Sequence, residues 1–157
     1  TPFISVIIYI KELEKLLWGR IILMNNKFWI YFIQHDNGNT DINSAYLCRI
    51  LQELQDAMKR MTPSLLGEDC TYEQWKHIAN KGQYNFFVAW LDDKGEQYLS
   101  DICNANIAED ASDSLLDQFD ESLFALQMAA EVDDAEVLAA DITDVIVNLA
   151  NAIKENQ

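Results

Sequence analysis

The stretch QYNFFVAWLDDKGEQYLSDIC, residues 83–103, decides how this chain folds. Tyr84, Phe86, Val88 and Trp90 alternate with Phe87, Ala89 and Leu91, so a period of two places apolar side chains on both faces. Aromatic and β-branched residues favour a pleated surface, and two apolar faces suit a strand covered on each side. DDKGE then reads as a hairpin loop in which Gly95 supplies a positive φ, and QYLSDIC as the returning strand. A further run, NNKFWIYFIQ at 25–34, has the same aromatic and β-branched character and predicts another strand. It is followed by HDNGNTD, a turn at Asn37-Gly38 with Asn39, Thr40 or Asp41 available to cap a helix.

Around this core of strands the pattern is helical. Ile42, Leu47, Ile50, Leu51, Leu54, Met58 and Met61 recur at helical spacing, and Arg49, Glu53, Asp56, Lys59 and Arg60 lie on the other side. Thr62-Pro63 ends that helix. Thr71 and Gln74 have the spacing of a capping box, which predicts a short helix in TYEQWKHIAN closed at Lys81-Gly82. Leu115, Leu116, Phe119, Leu123, Leu126 and Ala130 form one later stripe, with Ser112 or Asp113 as cap. Val137, Leu138, Ile142, Val145, Ile146, Leu149 and Ile153 form the next, capped by Asp133 or Asp134. The expected fold class is therefore α+β. A small, mainly antiparallel sheet (25–34, 83–91 and 96–103) packs against one long amphipathic helix and a C-terminal acidic helical hairpin.

At 157 residues, half of them hydrophobic and only seven Gly or Pro, the chain has the size and composition of one globular domain. Residues 24–157 form that domain, and residues 1–23 stand apart as an N-terminal extension with two readings. FISVIIYI and KELEKLLW have the patterns of a strand and a short helix. Alternatively, Trp18-Gly19 requires GGGG in the gene, a purine-rich box a short distance before Met24, so the segment reads as an untranslated leader. FISVIIYI is too short to span a bilayer, which needs roughly 20 residues, and its flanking charges are in the wrong order for a secretory signal. Cys48, Cys70 and Cys103 lack any C-x-x-C spacing, which points to reduced thiols and a cytoplasmic protein.

Charge separates the function classes. There are 26 Asp and Glu against 11 Lys and Arg, a net of −15. The 59 residues between Lys94 and Lys154 contain no Lys, Arg or His and hold 14 carboxylates. Such a field repels nucleic acid and anionic lipid and attracts basic partners. On the first C-terminal helix Asp110, Asp113, Asp117, Asp120 and Glu121 fall opposite the apolar stripe, and on the second Asp134, Asp141 and Asp144 do the same. Solvation alone explains many acidic faces, yet solubility does not require excluding every cation from so long a segment.

Catalytic and metal signals are weak. His35, Asp36 and Asp41 suit turn and cap chemistry better than an acid–base site. Cys70 lies beside Glu68 and Asp69, which disfavour a thiolate, so Cys70 and His77 make a poor nucleophile and base. DASDSLLDQFDE lacks the order of a calcium loop, and no phosphate-binding glycine loop or nucleophile elbow occurs, so no cofactor or metal is expected. The leading expectation is a non-enzymatic bacterial or phage inhibitor of a basic partner. That partner is a toxin or nuclease met by an immunity-type protein, or a DNA-binding enzyme met by a DNA mimic. The rival is an acidic secretion or folding chaperone with an apolar groove. An enzyme depending on His35, Asp36 or His77 stands third.

Overall fold

A computed structural model describes residues 42–62, 70–107 and 109–157. Among these residues 81% are helical and no strand is present. The elements are α1 (Ile42–Arg60), α2 (Tyr72–Lys81), α3 (Asn85–Trp90), a π-helical turn (Leu91–Gly95), α4 (Glu96–Cys103), α5 (Asp113–Ala129) and α6 (Ala135–Asn156).

The expected hairpin is thus overturned, and with it the α+β class over the described residues. Residues 85–103 form one helical run interrupted in register by the π turn, where the Glu96 N–H donates to the Leu91 carbonyl. The physical reason lies in which residues are buried. Tyr84, Phe87, Val88, Leu91, Gly95, Leu99, Ile102 and Cys103 face inward, at steps of three and four residues. Phe86 completed the apparent alternation of a strand, but it is 45% exposed. The strand expected at 25–34, the turn that follows it and residues 1–23 all lie outside the described residues.

Gly95 is needed for a reason other than the one its sequence context suggests. Its φ is −63° and ψ −37°, ordinary helical values, and a Cβ there would sit 2.7 Å from Trp90 Cζ3 and 2.8 Å from Leu91 Cδ2. The indole occupies the space that a side chain would take. Trp90 is held in turn between Phe87, at 5.7 Å between ring centroids, and the stacked ring of Tyr98 at 6.2 Å. Gly95→Ala should therefore cost about 1–3 kcal/mol through overpacking, less the roughly 1 kcal/mol by which Ala favours a helix. A lower thermal midpoint with an altered near-UV spectrum is the expected result. Gly95→Asn, harmless in a left-handed loop position, should be worse than Ala here.

The remaining helices follow their sequence signals. The Thr71 hydroxyl accepts from the Gln74 N–H at 3.1 Å, and the Gln74 side chain accepts from the Thr71 N–H at 2.9 Å, completing the capping box of α2. Gly82 follows with φ −109°, so α2 ends without a left-handed cap. Ser112 caps α5 and Asp134 caps α6.

Among the described residues, helix α6 lies at the centre of the packing. It packs most extensively on α5, its partner in a hairpin, and next on α4, while α1 lies against α5 and α2 against α3. The Ser112 N–H, at the start of α5, donates to Asn156 Oδ1 at the end of α6, which fixes the hairpin as antiparallel. One apolar core joins these elements, with Leu47, Leu54, Met58, Trp75, Phe87, Phe119, Ile142 and Leu149 fully or almost fully buried. Aromatic rings run through it from Tyr72 and Trp75 to Phe87, Trp90 and Tyr98, at centroid separations of 5.7–6.3 Å. These rings carry the strand-like composition, and they pack as a helical core.

Candidate interaction surface

The inward face of α5 is occupied by Leu115, Phe119, Ser122, Leu126 and Ala129. At 100° per residue, Asp113, Asp117, Asp120 and Glu121 fall on the opposite side, and all four are exposed. Asp110 is exposed just before the helix. Carboxylates three and four apart on a helix stand about 5–6 Å from one another, and each such pair costs a few tenths of a kcal/mol. Among the described residues, Lys76 forms ion pairs with Asp92 and Glu96, away from this face.

Eight carboxylates were expected at the surface, and their surroundings differ. Asp120 accepts a hydrogen bond from the Tyr46 hydroxyl of α1, so it ties α1 to α5. Asp134 caps α6, its Oδ1 accepting from the Glu136 N–H at 2.9 Å and the Val137 N–H at 3.1 Å. Asp141 is half-buried on the flank of α6, and Asp144 is exposed on its outer face. Asp110, Asp113, Asp117, Glu121 and Asp144 thus present their charge outward, whereas Asp120 and Asp134 also have structural duties.

Tyr46, at the seam of α1 and α5, links stability to alkaline pH. Burial, then the hydrogen bond to Asp120 and its negative charge, push the Tyr46 hydroxyl up to about 12, against a weaker opposing effect of Arg49. The unfolded phenol ionises near 10, so this contribution to stability is complete below pH about 10 and is lost as pH rises through about 12. Tyr72, buried beside Glu96, is shifted in the same direction. Lys76 is also raised: burial alone would lower it, but its hydrogen bonds to Asp92 and Glu96 prevail. The urea midpoint should fall between pH about 10 and about 12, and Tyr46→Phe should make that fall shallower while costing about 0.5–1.5 kcal/mol at neutral pH.

The second polar cluster is architectural. Lys76 Nζ of α2 lies 2.8 Å from Asp92 Oδ1 in the π turn and 2.8 Å from Glu96 Oε1 in α4, with its side chain only 16% exposed. The ammonium also sits 5.5 Å from the Tyr72 ring centroid. These contacts fasten α2 to the π turn and to α4.

Sequence reasoning missed two residues on the acidic face. Phe124 is 63% exposed and Met128 54% exposed. Both project from the outer side of α5, in line with Asp117 and Glu121 at steps of three and four. Their helical angle was readable, but the buried stripe is complete without them, so nothing drew them out of the apolar count.

Elsewhere the chemistry is sparse. His77 is exposed on α2, and Cys70 is buried ahead of it, with its thiol shifted up first by burial. No disulfide joins Cys48, Cys70 and Cys103. Burial also raises the Cys103 thiol. Among the described residues no three His, Cys, Asp or Glu side chains converge as metal ligands, and no helix is long and apolar enough to cross a membrane. His35, Asp36 and Asp41 lie outside the described residues. No protein-family model, curated protein or solved structure matches the chain.

Proposed function

We propose that this protein is a non-enzymatic inhibitor that occludes a basic site on another protein with its C-terminal helices. The observation that carries the reading is the one-sided charge of α5 and α6. Asp110, Asp113, Asp117, Glu121 and Asp144 stand exposed on a segment that contains no Lys, Arg or His. The fold tolerates that self-repulsion, and a cationic partner relieves it while gaining association rate.

Two partner types suit this surface. A toxin or nuclease with a basic active site would be plugged as by an immunity protein. A DNA-binding enzyme would take the carboxylates as stand-ins for phosphates, which repeat at about 3.4 Å of rise along one strand. On this reading the protein works in the cytoplasm, where its three thiols stay reduced.

The test is capture from cells of the source organism at low and high salt, with wild type and a variant carrying Asp113→Asn, Asp117→Asn, Glu121→Gln and Asp144→Asn. A basic protein retained by wild type at low salt, released at high salt and missed by the variant supports the proposal. A partner held equally at both salt concentrations favours a chaperone gripping an apolar client. The exposed Phe124 and Met128 are the observation on that side.

A further inference from the structure

Taking the acidic-inhibitor reading as its basis, we infer that the docking centre is the outer face of α5, and that its occupant is a basic amphipathic helix whose apolar ridge covers Phe124 and Met128. These two side chains are four residues apart on one helix, so they lie side by side, and both are more than half exposed. Among the described residues, α5 meets its neighbours through Leu115, Phe119, Ser122, Leu126 and Ala129 on the opposite side. Phe and Met are the kinds of residue enriched where partners meet, one as a large anchor and the other as an adaptable contact.

Charge selects among occupants. Asp117 and Glu121 precede the apolar pair along the outer face, and the exposed Glu131 follows it. A second copy of this chain, laid face to face, would bring those carboxylates against their own kind. A neutral apolar helix would strip water from them and return nothing. A helix carrying lysines or arginines on both sides of an apolar ridge satisfies both features at once, with the ridge on Phe124 and Met128 and the cations on Asp117 and Glu121. The apolar centre then supplies residence time, and the acidic surround supplies encounter rate and register.

The experiment uses the full chain and two synthetic peptides of identical composition. One arranges leucines as a helical stripe flanked by lysines; the other scatters the leucines. Fluorescence anisotropy should show the striped peptide binding wild type at least tenfold more tightly than the scattered one. Phe124→Ser with Met128→Ser should abolish that preference while leaving the weak, salt-sensitive binding of the scattered peptide. Both positions are exposed, so the variant should keep its helical circular dichroism spectrum. If the serines leave the preference intact, the docking centre is wrong. The same holds if wild type sediments as a dimer that the serines dissolve, since the occupant is then a second copy. Asp117→Asn with Glu121→Gln should weaken both peptides. No change there removes the acidic reading itself, whereas harmless serines together with weakened binding by the acid variant leave that reading standing.

Discussion

Phe119→Ala should lower the free energy of unfolding by about 3–5 kcal/mol, a large share of the 5–15 kcal/mol typical of a domain this size. Phe119 is completely buried on the inner face of α5, and its ring packs edge-to-face with Tyr46 at a centroid distance of 5.5 Å. Truncation removes apolar contact and leaves a cavity in the seam between α1 and α5. That seam also carries the Tyr46–Asp120 hydrogen bond, so loosening one contact weakens the other. Urea unfolding followed by circular dichroism measures the loss. Phe124→Ala, on the same helix but facing solvent, should stay within about 0.5 kcal/mol of wild type. A similar cost at both positions would contradict the described orientation of α5.

Ser100→Pro is the second large effect, expected at about 3 kcal/mol or more. Ser100 lies inside α4, and its carbonyl accepts from the Asn104 N–H at 2.9 Å. Proline there removes a helical donor, and its ring collides with the carbonyl one turn back. It also biases Leu99, which is buried, away from helical backbone angles. In the hairpin that the sequence suggests, a returning edge strand with its N–H toward solvent would accept proline at small cost. A stability loss well under 1 kcal/mol would therefore revive the strand. The thermal midpoint and urea midpoint of the variant report on this directly.

The contrast between residues 83–103 and the rest shows what the sequence could convey. In α1, α5 and α6 polar residues punctuate the apolar stripe, so only a period near 3.6 fits, and the capping residues Thr71, Ser112 and Asp134 mark helix starts through local chemistry. Between Tyr84 and Leu91 nearly every position is apolar, and such a run satisfies both periods at once. The deciding information lay further along, where Leu91, Gly95, Leu99 and Ile102 continue the helical step through what looks like a turn. Gly95 misleads because glycine serves both a positive φ and close packing, and only the position of the Trp90 indole tells the two apart.

The acidic surface was more legible, because a carboxylate opposite a completed apolar stripe has nowhere to go but outward. What could not be read was the tie between Asp120 and Tyr46, whose partners are 74 residues apart. Asp120 is for that reason left out of the charge variants, since replacing it would disturb stability and binding together.

The measurement that tests the central claim most directly is the affinity of the captured partner across a salt series, for wild type and for the Asp113→Asn, Asp117→Asn, Glu121→Gln, Asp144→Asn variant. Wild type should bind more weakly with each increase in salt, and the variant should bind more weakly than wild type at low salt, with a shallower dependence. Equal affinity and equal salt dependence for the two proteins would contradict the claim that the C-terminal acidic face is the binding surface.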